Sequence, residues 1–381
     1  MRAVILTVLL VSGVGCRAAD RTQLSTPATP VQAAAPTQDA VPTQTVAPMV
    51  MAATAPTAAP APTGAPTRIP IINVDDMMGM VPQQTVFVAT NDHVSAVTLL
   101  NHFTRYKIAT AGVAQVAADT TGQLLYLLDS AAPGTSRLRA FDVSSGSDRA
   151  AAAGLADVAT DRRGLSTAGD GRVLVLKSDA RHAWVDAYAA QTLHPLGTVM
   201  DKTGCGDRLL ANARRIAIVC LATGEIAVDD LRGNYAAIDG ALPTLVAAAM
   251  AEDGMVYVAT ADQRLAAVPA GATKLASVAW PNEWSGEVLA EGLAIAQGGD
   301  AVVIAQRNDD GAWLRVIGLS DVARRKSLRL AGVPLGGILA LWPFAYYSVD
   351  ATVRHVDLNS GLLETMAEVG AAAVPGAVVN G

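Results

Sequence analysis

Three cysteines carry the most reactive side chains in the chain, and their positions suggest two kinds of chemistry. Cys16 ends a short apolar stretch near the N-terminus, where a thiol at a cleavage point can accept a lipid. Cys205 and Cys220 are an even pair, the arrangement that forms a disulfide in an oxidising compartment. Five histidines are scattered as His93, His102, His182, His194 and His355. None falls into an HxH, HxxxH or HExxH spacing, so no local metal site is expected, and each reads as a surface or turn residue. A ring of repeats can still gather ligands from distant segments, which spacing does not reveal. The carboxylate pairs Asp229-Asp230 and Asp309-Asp310 sit in strand-end or turn contexts. The second lacks the spaced oxygens and distal Glu of a calcium loop. The sequence has no G-x-S-x-G elbow and no Gly-rich phosphate loop, so no catalytic residue and no cofactor are assigned.

Three further clusters have plainer readings. Asp75 and Asp76 lie beside Met77, Met78 and Met80. Carboxylate suits hard cations and thioether suits soft ones, so the mixture reads as an extended leader rather than a metal site. The basic run "ARRKSLRL" (323–330) reads as a solvated outer strand or turn. Trp280, Trp284, Trp313 and Trp342 read as packing between repeats, with a binding rim as the alternative. Trp280 and Trp284 fall in a longer connection, "WPNEWSG", of the kind that often carries binding.

The elements that would position these residues are short strands. Apolar runs of Val, Leu, Ile and Ala are bounded by Gly, Asp and Asn, which marks strands rather than helices. The abundant Ala weakens that reading, because Ala favours helix, but no stretch of the head is free of turn signals for long. A strand-turn-strand unit recurs after about residue 85. Its cleanest copies are "LRAFDVSSGS" and "VRHVDLNSGLLET". Inner strands with their turns are expected at "VAQVAADTTGQLLYLLD", "LADVATDRRG", "RLLANARRIAIVC", "LVAAAMAEDGMVYVATAD" and "LAIAQGGDAVVIAQ". Seven units are expected, starting near 85, 112, 155, 205, 242, 291 and 335, with six or eight as the alternatives. The first unit lacks its inner strand, and 371–381 is a spare segment after the last. The spare is expected to fill that place, pairing the two termini and closing a ring without open edges. Aligning the fourth unit with the fifth puts Cys205 early in an inner strand and Cys220 late in the next. Antiparallel neighbours could bring the two together as a structural disulfide; the alternative is two buried thiols.

A period of about 40 residues with four strands each points to a propeller. The repeats, with the "FDVSSG" and "VDLNSG" turns, resemble a seven-bladed β-propeller of the YVTN or WD40-like superfamily over about 85–381. The resemblance is architectural: no Gly-His…Trp-Asp pair recurs, and repeated quinoprotein docking motifs are absent. It implies an all-β domain of four-stranded blades. Propellers of similar build include lactonases and quinoprotein dehydrogenases, with sites at the central channel.

The N-terminus has a separate organisation. Arg2 is followed by an apolar stretch from Ala3 to Val11, too short to span a bilayer. Gly13-Val14-Gly15-Cys16 then resembles a bacterial lipoprotein lipobox, with Gly13 where the family usually has a branched apolar residue. The resemblance implies that Cys16 becomes the diacylated, palmitate-bearing N-terminus after the signal peptide is removed. An ordinary secretory signal is the alternative. Two or three acyl chains anchor stably, at about 0.8 kcal/mol per buried methylene. The domains are thus a signal peptide over 1–16, a disordered Ala/Thr/Pro-rich spacer over 17–68, a leader over 69–84 and the propeller over 85–381. Fully extended at about 3.1 Å per residue, the spacer reaches on the order of 140 Å.

The net charge of −6 gives no basic footprint for nucleic acid. The expectation is a monomeric, lipid-anchored extracytoplasmic propeller, held to the outer face of a bacterial membrane, that binds a protein partner on one face. A propeller enzyme working at the channel is the alternative. A cluster of His and carboxylates at the channel mouth would favour the enzyme.

Overall fold

The computed structural model describes residues 84–381 except 100, 113, 133, 159–162, 180, 239–241, 243, 297, 299, 322–323, 371–372 and 381. Cys16, the spacer, most of the leader and its Asp75, Asp76 and Met cluster lie outside the described residues. Every regular element among the described residues is a strand. They form seven four-stranded antiparallel sheets. Six of these are consecutive meanders over 115–155, 165–203, 208–237, 245–278, 287–329 and 335–368. They are blades two to seven. Blade one is composite: Val374–Asn380 lies beside Gln84–Ala89, followed by His93–Thr98 and Thr104–Ala109. The first strand of each meander touches the first strand of the next, and Val374–Asn380 completes the cycle between blades seven and two. The fold is a closed seven-bladed β-propeller.

Burial follows position in the blade. Second strands are buried on both faces, as in Gln84–Ala89, Ile216–Val219 and Val256–Thr260. That is why they read as continuous apolar runs rather than alternating ones. Outer strands alternate between half-buried and exposed, as in Arg325–Arg329, because one side faces water. Seven apolar cores form among the described residues, one at each blade–blade junction. Within Gln84–Ala89 the faces alternate. Phe87 and Ala89 enter the core shared with blade two, while Val86 and Val88 enter the core shared with blade seven. Alanines such as Ala247, Ala249, Ala259 and Ala267 line these junctions. Packing between blades overrides alanine's helical preference.

The two cleanest repeat copies share one turn. Asp142 accepts from the Ser144 and Ser145 amides at 2.9 and 3.1 Å, and Gly146 takes a φ of 69°. Asp357 accepts from the Asn359 and Ser360 amides at 2.6 and 3.1 Å, with Gly361 at 80°. The aspartate mimics a backbone turn and the glycine supplies the left-handed residue.

The terminal pairing is antiparallel, from Gln84 opposite Asn380 to Ala89 opposite Val374. One inner strand lies elsewhere than expected. Leu155 ends the outer strand of blade two, and blade three begins at Leu165–Thr167. The apolar-turn pattern at 155–164 therefore does not start an inner strand at Leu155. Cys205 is also outside a strand: it precedes Arg208–Ala211, and Cys220 follows Ile216–Val219.

Deleting 374–381 is expected to expose the inner edges of blade one and its neighbours. A thermal midpoint lowered by several degrees, at roughly 2–4 °C per kcal/mol for a domain of this size class, together with association on size-exclusion chromatography, is the expected outcome. Unchanged melting would refute closure by the C-terminal strand.

Candidate functional site

The inner strands of all seven blades surround a central cavity of about 980 Å³. Its wall is mainly backbone and small or branched apolar side chains, including Ala118, Leu209, Ile295 and Val378. One mouth is formed by the turns that follow the inner strands. It carries Asp119, Thr121, Asn212, Arg214, Glu252 and Asp253. Most of these polar groups build their own turns. Asp119 accepts from the Gln123 and Leu124 amides, and Asp253 from the Met255 amide at 2.9 Å. Asn212 donates to the Ala251 carbonyl at 2.6 Å, which ties blade four to blade five.

At the opposite end, where the inner strands begin, three charged side chains meet across the ring. Arg163 leads into blade three, Arg208 starts the inner strand of blade four, and Glu291 lies in the inner strand of blade six. Arg208 pairs with one Glu291 oxygen, and Arg163 Nε stands 3.7 Å from the other. Arg163 also donates to the Gly336 carbonyl of blade seven. The Leu209 amide donates to the Arg163 carbonyl at 2.9 Å, which holds the two arginines side by side. Burial and the adjacent Arg163 charge pull Arg208 down to about 8. Burial pulls Arg163 down to about 10. Both are therefore cationic at neutral pH, with Glu291 as the facing counter-charge. A Cβ on Gly337 would stand 2.5 Å from Arg163 Nη2 and 2.7 Å from Glu291, so the glycine leaves room for the triad. Nothing in local sequence marks this constellation, because its three members come from three blades. The one signal is a charged residue at the start of an otherwise apolar inner strand, "RLLA".

The sequence candidates are placed as follows. Cys205 and Cys220 are joined as a disulfide with Cα atoms 5.5 Å apart, beside Asp207. The bridge clips the entry of one strand to the exit of the next. Asp229 and Asp230 accept amides of their own turn, from Leu231 and Arg232 at 2.7 and 2.9 Å. Asp309 and Asp310 cap an exposed hairpin. The basic run joins blades six and seven: Arg324 lies 5.0 Å over the Trp342 ring, and Lys326 donates to the Leu358 carbonyl at 3.2 Å. Trp284 is buried edge-on to Trp280, and Arg315 lies over both Trp284 and Trp313. These tryptophans are packing elements.

His182 and His194 are exposed in or next to turns, and His93 bonds Thr90 and Asp92. His355 departs from the surface expectation. It is buried on the third strand of blade seven, edge-on to Phe344, and meets His102 and Glu364. Burial lowers its proton affinity below the ordinary imidazole range, against the opposing pull of Glu364. This cluster lies in the outer half of blades one and seven, away from the channel.

Neither a family model nor a curated relative matches the chain. Solved structures do. The periplasmic gluconolactonase PpgL of Pseudomonas aeruginosa superposes with a TM-score of 0.56 at 15% identity, over 78% of this chain and 98% of that one. The WD40 repeats of RRP9 give 0.53 at 14%, over 76% and 90%. Apo AztD of Citrobacter koseri gives 0.51 at 12%, over 77% and 84%. At these identities the likeness concerns the propeller fold alone.

Substituting Glu291→Gln removes the facing counter-charge from the buried Arg208 guanidinium and from the partly exposed Arg163 beside it. The expected loss is about 1 to 3 kcal/mol by denaturant unfolding, less than for a fully buried pair because Arg163 and Glu291 are partly solvated. A loss below about 1 kcal/mol would show that the triad is solvated in solution.

Proposed function

We propose that the protein is a lipid-anchored extracytoplasmic propeller that binds a protein partner at the open mouth of its channel. The observation that carries this reading is the difference between the two ends of the channel. The Arg163–Glu291–Arg208 triad occupies the end where the inner strands begin, and a polar rim surrounds the other. The rim turns are pinned by their own hydrogen bonds, so they present a preorganised surface, which lowers the ordering cost of association. Three rim carboxylates, Asp119, Glu252 and Asp253, face one guanidinium, Arg214. That excess suits a partner segment bearing basic groups and steers its approach. The His and carboxylate cluster that would have favoured chemistry at the channel stands outside it, at the periphery.

The extracytoplasmic setting rests on Arg2, the apolar stretch to Val11 and Cys16, and on the Cys205–Cys220 bridge, which suits an oxidising compartment. The spacer would hold the head clear of the membrane, leaving the open mouth free for a partner.

Two measurements test the reading. Cys16→Ala is expected to move the protein from the membrane fraction to the soluble extract; membrane retention would count against acylation at Cys16. Thr120 and Glu252 are exposed at the rim. The double variant Thr120→Lys/Glu252→Lys is expected to reduce at least tenfold the capture of a specific partner from native membranes, quantified by mass spectrometry, with melting unchanged. Equal capture by both proteins would remove the open mouth as the binding surface.

A further inference from the structure

The geometry points to a divalent-cation site at the junction of blades seven and one, formed by His102, His355 and Glu364. His355 and Glu364 are direct cross-strand neighbours on the third and outer strands of blade seven. His102 comes from the turn before the outer strand of blade one. Their donor atoms all lie within 4.8 Å of one another.

The distances are those of loose ion pairs, and they also fit a metal site. His102 Nε2 stands 3.5 Å from Glu364 Oε2, and His355 Nε2 stands 3.6 Å from the same oxygen. Both are longer than a good N–H···O hydrogen bond, which falls at about 2.7 to 3.2 Å. They match the edge of a coordination tetrahedron. Ligands about 2.0 to 2.1 Å from a zinc ion stand about 3.3 to 3.4 Å apart. A small inward shift of the Glu364 and His102 side chains, both partly exposed at 40% and 36%, would close the set.

The surroundings preorganise one ligand and leave the others adjustable. His355 is only 5% exposed and is held edge-on to Phe344 with ring centroids 5.2 Å apart. Its Nδ1 is buried and has no hydrogen-bond partner, so the ring is oriented by aromatic packing against Phe344 and Tyr346. Two imidazoles and one carboxylate suit a borderline first-row cation such as zinc, not calcium or magnesium, which take oxygen sets. The exposed side of Glu364 and His102 leaves the fourth position to water. A cation there would join blades one and seven through side chains, outside the strand pairing that already closes the ring.

The test is calorimetric titration of the full chain, metal-stripped and with the disulfide closed, using zinc alone and then cobalt(II) for its visible tetrahedral absorption. One zinc per chain and a raised melting midpoint are expected. Calcium and magnesium are expected to give neither. His102 has a φ of 54°, a conformation that Asn tolerates, so His102→Asn removes the imidazole without straining the turn. Glu364→Gln keeps the shape of the carboxylate. Each variant is expected to melt like the metal-free wild type, to bind zinc at least tenfold more weakly and to lose the tetrahedral cobalt signature. Failure of the wild type to bind zinc would overturn the proposal. So would undiminished binding by both variants, which would place the ion elsewhere.

Discussion

The structure depends on one pairing: Gln84–Ala89 against Val374–Asn380. In every other blade the four strands are joined by short turns, so each sheet assembles locally. In blade one the inner strand arrives from the far end of the chain. Without it, the cycle of inner-strand contacts is broken between blades seven and two. The cores on both sides of blade one would also be incomplete, because Ala377 and Val379 belong to one and Val378 packs on the other. Closure therefore supports two of the seven apolar junctions as well as one sheet.

The seam is reinforced by polar contacts that the apolar packing alone would not specify. Buried Gln84 donates to the Trp342 carbonyl at 3.2 Å and accepts from the Tyr346 hydroxyl. A buried amide paired through both its nitrogen and its oxygen fixes the register of the two blades, since a slip would break both bonds. The channel triad acts similarly across the ring. It links blades three, four, six and seven at one end of the channel. Among the described residues the open mouth has no such brace across the ring, and its turns are tied only to themselves and to the next blade, as Asn212 is to Ala251. This asymmetry makes the two faces of the disc chemically distinct.

Much of the fold was legible because its determinants are local. Asp142 with Gly146 and Asp357 with Gly361 state their turns within five residues. Doubly buried second strands read as unbroken apolar runs, and the spare C-terminal segment was visible by counting. The misplacement at 155–164 has a physical origin. Leu155 is buried under the outer strand of blade two, so it carries the apolar signal of an inner strand without being one. The sites were far less legible. Arg163, Arg208 and Glu291 are separated by up to 128 positions, and His102 by 253 from His355. Only ring geometry brings such residues together, and a scan for spacing patterns tests the wrong variable. The cysteines fall between these cases. Their proximity follows from two adjacent strands, but both lie just beyond the strand ends.

Strand pairing and side-chain chemistry meet at the same junction. Blade one is the only composite sheet among the described residues, so its inner strand is held by hydrogen bonds and packing with no hairpin behind it. Docking it requires closing a loop of nearly the whole head, a cost that grows only slowly, as about (3/2)RT ln n, but that no local turn offsets. Local opening in proteins starts where the fewest covalent and buried constraints hold an element, which here is the seam. The outer half of that seam presents three donor groups whose spacing is too long for hydrogen bonds among themselves. Side chains that hold such spacing while one ring is locked by aromatic contacts impose no closure of their own. The junction's outer half is therefore a place where a bound ligand can add to the ring's integrity, because there the chain joins the two blades only through the inner strand of blade one.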